Sequence, residues 1–202
     1  MKKLLKRLII PIFISITLAI LLSVFPTAED MQIYDKVIRL HVLANSNSEE
    51  DQALKLKVRD GILTTVEALT DSCQTKEEAE AVLRENADII KAKAEQVLGE
   101  NGSDASVEIL IGQEKYPTRE YGSLRLPSGE YCSLRVMLGE AEGKNWWCVL
   151  FPPLCTGSAV KVEEELAQVG FTPDQVKVIT DSSSPRYKLK FKILEIIGSL
   201  FS

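Results

Sequence analysis

The sequence predicts an α+β fold, in which a mostly antiparallel sheet packs with helices in a single domain that follows an N-terminal export helix. Three observations lead to this prediction. An uncharged apolar segment occupies residues 8–25, two segments with helical periodicity follow a first strand, and short β-rich segments punctuated by Gly and Pro follow residue 103. We therefore expect a leader over residues 1–28 and a folded domain over residues 29–202.

The leader has the charge order of a secretory signal. Residues 1–7 contain four bases and no acid, residues 8–25 carry no charge, and two acids follow shortly after the apolar segment. This order predicts either a cleaved signal peptide or a retained signal anchor, with residues 29–202 forming an extracytoplasmic domain. If the leader is retained, residues 8–25 contact the membrane, because they are just long enough to cross a bilayer. Cleavage stays open, since residues 26–28 (PTA) match the small-residue cleavage pattern poorly.

Composition and charge exclude several classes of function. The 202 residues carry a formal net charge of -5. Four of the 24 bases belong to the leader, so residues 29–202 hold 20 bases against 29 acids, a net charge of -9. A surface of that sign repels a phosphate backbone, and we expect no nucleic-acid partner. One histidine, and four cysteines without a C-x-x-C pair, predict no metal site and no cofactor.

The first strand and the first helix follow from periodicity. In residues 35–44 alternate positions are apolar, and Arg39 and His41 lie between them on the presumed polar face of a strand. A polar elbow, residues 45–51 (NSNSEED), ends this strand. Its serine N-cap and three acids predict a helix over residues 48–69.

The remaining elements are predicted from caps and turn residues. A capping box at Thr75 and Glu78 begins a second helix that ends near Gly99. Further along the chain we expect a strand at 107–111, a hairpin of 121–126 with 131–138, a strand at 145–151 ended by two prolines, a helix at 158–169, and a strand turning to a helix at 187–202.

His41 limits any nucleophilic chemistry, because it is the one histidine of the chain. As a general base it would need Cys148 or a serine across the sheet, which would make the protein an exported Cys/Ser-His hydrolase. No G-x-S-x-G or H-E-x-x-H motif accompanies it. A hydrogen-bonded structural histidine is the other interpretation, and we expect that the protein is not an enzyme.

Three further motifs each allow two interpretations. Cys148 and Cys155 would form a disulfide in an oxidising compartment, or would be two buried thiols. Trp146 and Trp147 point to opposite faces of a strand, so only one readily joins the core. The other tryptophan is either packed beneath a helix or half exposed as the anchor of a protein interface. The polar elbow is either a helix start or a recognition surface.

Two long blocks of the sequence resemble a single family. The first block is residues 39–60 (RLHVLANSNSEEDQALKLKVRD). The second comprises residues 116–122, 127–131 and 143–155, in the same order as in that family. Both blocks resemble the stage II sporulation protein R family, and the resemblance is continuous over residues 33–156.

The resemblance implies a signal that passes between two compartments during sporulation. Members of the family are made in the forespore and exported to the intermembrane space. There they are needed for a membrane-embedded aspartic protease of the mother cell to process a sigma-factor precursor. The protein would then be a secreted or membrane-anchored activator whose partner is the extracytoplasmic part of that protease. The partner-binding candidates are Arg39, His41, Asn45, Ser46, Asp51, Gln52, Tyr121, Asn145, Trp146 and Trp147.

Overall fold

The computed structural model describes residues 10–19, 33–121, 124–154 and 166–180. Residues 10–19 form a helix with exposed apolar side chains and belong to a unit made of Met1–Glu29 and Ser183–Ser202. The other described residues belong to a second unit, Asp30–Ser182. Within the described ranges, no helix has the length and apolarity that a membrane span requires. The rest of the leader, and the elements predicted at 187–202, lie outside these ranges.

Strands of the second unit form a mixed sheet and a small separate ladder. The strands are β1 Ile38–Leu43, β2 Val107–Tyr116, β3 Arg119–Tyr121, β4 Leu124–Leu126, β5 Gly129–Leu138 and β6 Asn145–Phe151. The main sheet has the order β2-β5-β1-β6, and β3 pairs with β4. Only the β1–β5 pair is parallel in this sheet, so the prediction of a mostly antiparallel α+β fold is confirmed.

Helices begin at the caps that the sequence indicates. The described helices of this unit are α1 Glu49–Thr70, α2 Lys76–Glu85, α3 Ala87–Glu100 and α4 Pro173–Thr180. Ser48 Oγ accepts a hydrogen bond from the backbone N–H of Asp51 at 3.1 Å, as expected of an N-cap. Thr75 and Glu78 form the reciprocal capping box of α2.

The main sheet has a hydrophobic core on each face. On one face, fully buried apolar side chains such as Leu40 and Leu134 pack against α1, α2 and α3. On the other face, Tyr116 and Tyr131 form a second core with Leu124 of β4. The two cores are possible because successive strand residues point to opposite faces.

The prediction of one continuous second helix is wrong, because the structure has two helices, α2 and α3, in that region. The helical conformation is interrupted at Asn86, which has φ -106° and ψ 19° and lies between α2 and α3. Nδ2 of Asn86 donates to the carbonyl of Val82 at 2.8 Å, and such a side-chain bond competes with the helical ladder. In addition, α3 continues through Gly99, and the left-handed residue is Gly102 with φ 75°.

The predicted hairpin of residues 121–126 with 131–138 is also wrong. β4 pairs with β3, whereas β5 pairs along its whole length with β2 and over residues 132–137 with β1. The physical reason is size, because the three residues of β4 cannot satisfy the backbone groups of the ten-residue β5.

The helix predicted at 158–169 lies mostly outside the described ranges. Residues 166–168 are helical, and Gly170 has the left-handed φ of 82° that suits the end of a helix. The sequence reasoning missed α4. Its signal is a second capping pair, in which Thr172 Oγ1 accepts from the N–H of Gln175 at 3.3 Å and Gln175 Oε1 accepts from the N–H of Thr172 at 3.0 Å.

Candidate functional site

Arg39 and His41 lie on the face of β1 that is opposite α1. The presumed polar face of this strand is buried, since Arg39 is 0% exposed and His41 is 5% exposed. Aromatic side chains from β2, β3, β5 and β6 cover it. We call this group the aromatic–polar cluster, and its members are Arg39, His41, Glu114, Tyr116, Tyr121, Tyr131, Ser133, Arg135, Asn145 and Trp147.

Arg39 occupies a cage of tyrosine rings. Its guanidinium carbon lies 4.3 Å from the ring centre of Tyr116, 5.0 Å from that of Tyr131 and 5.4 Å from that of Tyr121. Nε donates to the carbonyl of Cys148 at 3.2 Å, and Nη2 donates to the hydroxyl of Tyr121. Nη1 is buried and has no hydrogen-bond partner among the described residues. Cation–π contacts and two hydrogen bonds therefore hold this buried charge.

His41 is held on three sides. Nδ1 lies 2.8 Å from Glu114 Oε1, and Nε2 lies 2.8 Å from Asn145 Oδ1. The ring stacks on Trp147, with centroids 3.6 Å apart and an interplanar angle of 17°. Three of the sequence candidates, His41, Asn145 and Trp147, are thus in direct contact. Both ring nitrogens are engaged within the fold.

Glu114 is the carboxylate at the centre of the cluster. Besides His41, it contacts Ser133 Oγ at 2.8 Å and Arg135 Nη2 at 3.2 Å. Burial acts to raise the pKa of Glu114, but hydrogen bonds from His41 and Ser133 and the nearby charges outweigh it, and the pKa lies below its ordinary value. Ser133 Oγ also lies 2.6 Å from the hydroxyl of Tyr116, whose pKa burial raises strongly. One acid on β2 therefore anchors side chains from two other strands, β1 and β5.

The structure does not bring a nucleophile to His41 in the part of the chain that it describes. Cys148 pairs with Leu40 in the register and joins the helix-side core, on the opposite face from His41. It is disulfide-bonded, whereas Cys73 and Cys132 are free thiols. Cys155 lies outside the described ranges, so its pairing with Cys148 stays a prediction.

The polar elbow is a hydrogen-bonded corner at the end of β1. Asp51 Oδ2 accepts from Asn45 Nδ2 at 3.0 Å and from Ser46 Oγ at 2.5 Å. These bonds, led by the one from Ser46, lower the pKa of Asp51. Gln52 Nε2 donates to the carbonyl of Ser46 at 2.8 Å. Four partner-binding candidates are therefore paired with one another.

The elbow also fixes the loop between β5 and β6. Asn45 Oδ1 accepts from the N–H of Glu140 at 3.0 Å, and the N–H of Gly143 donates to the carbonyl of Ala44 at 2.9 Å. A Cβ at Gly143 would lie 2.2 Å from the carbonyl oxygen of Ser46, so the two backbones meet too closely for a side chain. This contact requires glycine at position 143.

The two tryptophans do point to opposite faces, as predicted. Trp147 belongs to the aromatic–polar cluster. Trp146 packs partly buried against the helix-side core, where the guanidinium of Arg59 lies 4.7 Å from its ring. Neither side chain is fully buried.

Sequence reasoning missed the residues that complete the cluster. Glu114, Tyr116, Tyr131, Ser133 and Arg135 were not among the candidates. A signal for two of them was present, because the apolar alternation from Val107 to Ile111 places residues 114 and 116 on the opposite face. The partners on β5 follow only from its register with β1 and β2. None of the described His, Cys, Asp and Glu side chains converge in threes as metal ligands.

Fold and site together define a small α+β domain whose second core is an aromatic–polar cluster. The sequence model of the family described as Stage II sporulation protein R matches residues 34–161. The chain is also 33% identical over 189 residues to Stage II sporulation protein R of Bacillus subtilis (strain 168), which covers 84% of each chain. The chain belongs to the stage II sporulation protein R family, as the resemblance indicated, and this implies a role in sporulation. No solved structure matches it.

Proposed function

We propose that the protein is a signal exported from the forespore to the intermembrane space, where it activates a membrane-embedded aspartic protease of the mother cell. The active protease then processes a sigma-factor precursor. Family membership supports the sporulation role. The leader, with its basic residues 1–7 and uncharged residues 8–25, supports export.

The observation that carries the binding role is the way in which His41 is held. Its two nitrogens contact Glu114 and Asn145, and its ring stacks on Trp147. A general base needs a nitrogen free to take a proton from a nucleophile, whereas these contacts fix the buried ring within a rigid cluster that supports the surrounding surface. Such rigidity suits recognition, because a preorganised surface loses little entropy when it binds.

An activator acts by binding the active state of its partner more tightly than the inactive state. Its effect should therefore saturate when the protease is fully occupied. We would reconstitute the purified protease in lipid nanodiscs, titrate the full-length protein, and follow precursor cleavage. Cleavage should rise and then reach a plateau at a fixed ratio of protein to protease. Cleavage that is independent of the protein would overturn the proposal.

A second measurement separates the activator from an exported hydrolase. The variant His41→Gln retains an amide that can donate to Glu114 but removes the imidazole base. In sporulating cells that lack the native protein, this variant should lose precursor processing only in part, because the amide keeps a contact with Glu114 but not the stacking on Trp147, provided that circular dichroism shows a normal fold. A hydrolase that uses His41 would instead lose about a thousandfold or more of its activity with a normal fold.

A further inference from the structure

The two edge strands of the main sheet differ in how they are protected. At one edge, β6 has seven residues, its pairing with β1 shifts in register between Ile38 and Arg39, and two prolines follow it. Short length, irregular pairing and proline are devices that keep an edge strand from pairing with another chain. At the other edge, β2 has ten residues, no proline and an unbroken register with β5. β2 therefore lacks the devices that protect β6.

Two hydrogen bonds show which backbone groups of β2 point away from the sheet. The carbonyl of Ile111 accepts from Nη1 of Arg84, a residue of α2, at 2.9 Å. The carbonyl of Ser106, just before β2, accepts from the N–H of Gly139, just after β5. Because successive residues of a strand direct their N–H and C=O groups to opposite sides, the odd-numbered residues of β2 point outward and the even-numbered residues pair with β5. We call the outward backbone groups of residues 107, 109, 111, 113 and 115 the β2 edge.

Apolar side chains stay partly exposed on both sides of the β2 edge. Leu110 is 45% exposed on the face that carries His41. Ile109 and Ile111 pack on the helix-side core, yet both are only half-buried. Within the described part of the chain, Arg84 is the one hydrogen-bond partner of the β2 edge. A further strand would cover these three apolar side chains and pair with the backbone groups.

We propose that the β2 edges of two copies of this chain pair antiparallel about a two-fold axis at Leu110, which joins their two main sheets into one. In such a pair odd-numbered residues oppose odd-numbered residues, since these carry the outward groups. With Leu110 opposite its own counterpart, Ile109 lies opposite Ile111 of the second copy, and Val107 lies opposite Gln113. The centre of the contact is then apolar on both faces. A two-fold contact requires this self-complementarity, because both copies contribute the same surface.

The charges along β2 select this register. Glu108 lies opposite Gly112 of the second copy, so no carboxylate faces another across the contact. A shift by two residues in one direction would place Glu108 opposite Glu114, and a shift in the other direction would place it opposite Leu110. The net charge of -9 on each domain opposes association, but charges more than about 8 Å apart are largely screened at physiological ionic strength.

Arg84 does not block the β2 edge. Its side chain is 50% exposed, and it also donates to Oε1 of Glu80 from Nε at 3.0 Å and from Nη2 at 2.7 Å. These bonds keep Arg84 anchored on α2 when its Nη1 leaves the carbonyl of Ile111. The N–H of Ile109 in the second copy then donates to that carbonyl instead.

The test is a disulfide at the two-fold axis, formed in the purified full-length protein by mild oxidation at physiological ionic strength. Directly opposite residues have Cβ atoms about 4.5 Å apart, so Leu110→Cys should cross-link to its counterpart. Glu108→Cys is a control on the same exposed face, because its counterpart lies about 13 Å away along the strand. Ile89→Cys is a control of similar exposure on α3. We expect about tenfold more cross-linked dimer from Leu110→Cys than from either control or from wild type.

A second variant tests whether backbone pairing holds the two copies together. The N–H of Gln113 belongs to the β2 edge and its side chain is exposed, so Gln113→Pro removes an outward donor and leaves the hydrogen bonds to β5 in place. Combined with Leu110→Cys, it should lower the yield of cross-linked dimer by about tenfold, with a normal fold by circular dichroism. If the combined variant does not fold, the three single cysteine variants still decide the proposal.

Four outcomes would overturn the dimer. The first is a yield for Leu110→Cys no higher than that of wild type, and the second is equal yields at positions 89, 108 and 110, which indicate random collision. The third is full cross-linking in the folded Gln113→Pro variant, which excludes strand pairing. The fourth is a purified protein that does not cross-link while Gln113→Pro abolishes precursor processing in sporulating cells, which makes another protein the occupant of the β2 edge. Cross-linking of the purified protein does not involve the protease, so its failure would leave the proposed function standing.

Discussion

The two faces of the main sheet differ in what fills them, although the same strands build both. On the helix side, β1 contributes Leu40 and Val42 to an apolar core. On the other side, the intervening Arg39 and His41 are almost as deeply buried, yet they lie among tyrosines and a shared carboxylate. Apolar burial stabilises a fold without directionality, whereas a hydrogen-bonded cluster fixes side chains at defined positions. We therefore expect the helix side to govern stability and the cluster side to govern recognition.

The largest expected effect tests this division at adjacent residues of β1. Leu40→Ala should lower the free energy of unfolding by about 3 kcal/mol, because it leaves a cavity in a fully buried core. Arg39→Met should cost about 1 kcal/mol or less, since methionine fills a similar volume and removes a buried charge that has no acidic partner among the described residues. Urea denaturation of both variants measures the difference.

The functional outcome should be reversed between these two variants. Leu40→Ala should reduce precursor processing only as far as it reduces the folded fraction. Arg39→Met should reduce precursor processing while most of the protein stays folded. Without the guanidinium, the three tyrosine rings that surround it lose the contact that fixes their positions. If Arg39→Met instead unfolds the protein as strongly as Leu40→Ala, the two faces do not divide stability from recognition.

The helix side was largely predictable from the sequence, and the other side was not. Ser48, Thr75 and Glu78 mark the starts of α1 and α2 by local hydrogen bonding, which needs no knowledge of the tertiary fold. The apolar alternation of β1 likewise identified the helix-side core. Local signals were sufficient there because each element presents its own apolar stripe.

The membership of the aromatic–polar cluster depends on the register between strands, which the sequence does not show. Glu114 is 73 positions from His41 and 19 from Ser133, and only the pairing of β2, β5 and β1 brings them together. The wrong hairpin prediction had the same cause, since turn residues near Pro127 do not show that β5 pairs with β1. The adjacent tryptophans were assigned to opposite faces correctly because that property depends on one strand alone.

The elbow extends the comparison, because it joins the end of β1 to the loop before β6. Gly143→Ala should lower the free energy of unfolding by about 2 kcal/mol, since its Cβ would lie 2.2 Å from the backbone oxygen of Ser46. Urea denaturation, extrapolated to zero denaturant, measures this loss of free energy of unfolding. The matched control is Gly99→Ala, where a Cβ meets nothing within 4 Å and the residue lies inside α3.

Gly99→Ala should stabilise the protein by up to about 1 kcal/mol, because alanine is the better helix former. If Gly143→Ala lowers the free energy of unfolding and Gly99→Ala raises it, the close approach of the two backbones holds the loop against the elbow. A neutral Gly143→Ala would instead mean that the loop moves freely, and then Asn145 and Trp147 would not depend on the elbow for their positions.

The smallest expected effect concerns the acid at the centre of the cluster. Glu114→Gln should cost about 1 kcal/mol at neutral pH, because the amide retains one acceptor oxygen but loses the charge that faces Arg135 and His41. The pKa of Glu114 in the folded state lies below its ordinary value of 4.5. Its stabilisation is therefore fully present above about pH 4.5 and is lost as the pH falls through the folded-state pKa.

Wild type should consequently lose stability more steeply than Glu114→Gln when the pH falls below 4.5. Both proteins should still be acid-sensitive, because Asp51 and Glu80 also have lowered pKa values. Glu77→Gln, at an exposed position of α2, is the control and should follow the wild-type slope. If the free energy of unfolding falls equally steeply with pH in wild type and in Glu114→Gln, the cluster does not contribute to the acid sensitivity of the protein. The cluster side would then differ from the helix side in composition alone, since its central carboxylate would add nothing to the energy of the fold.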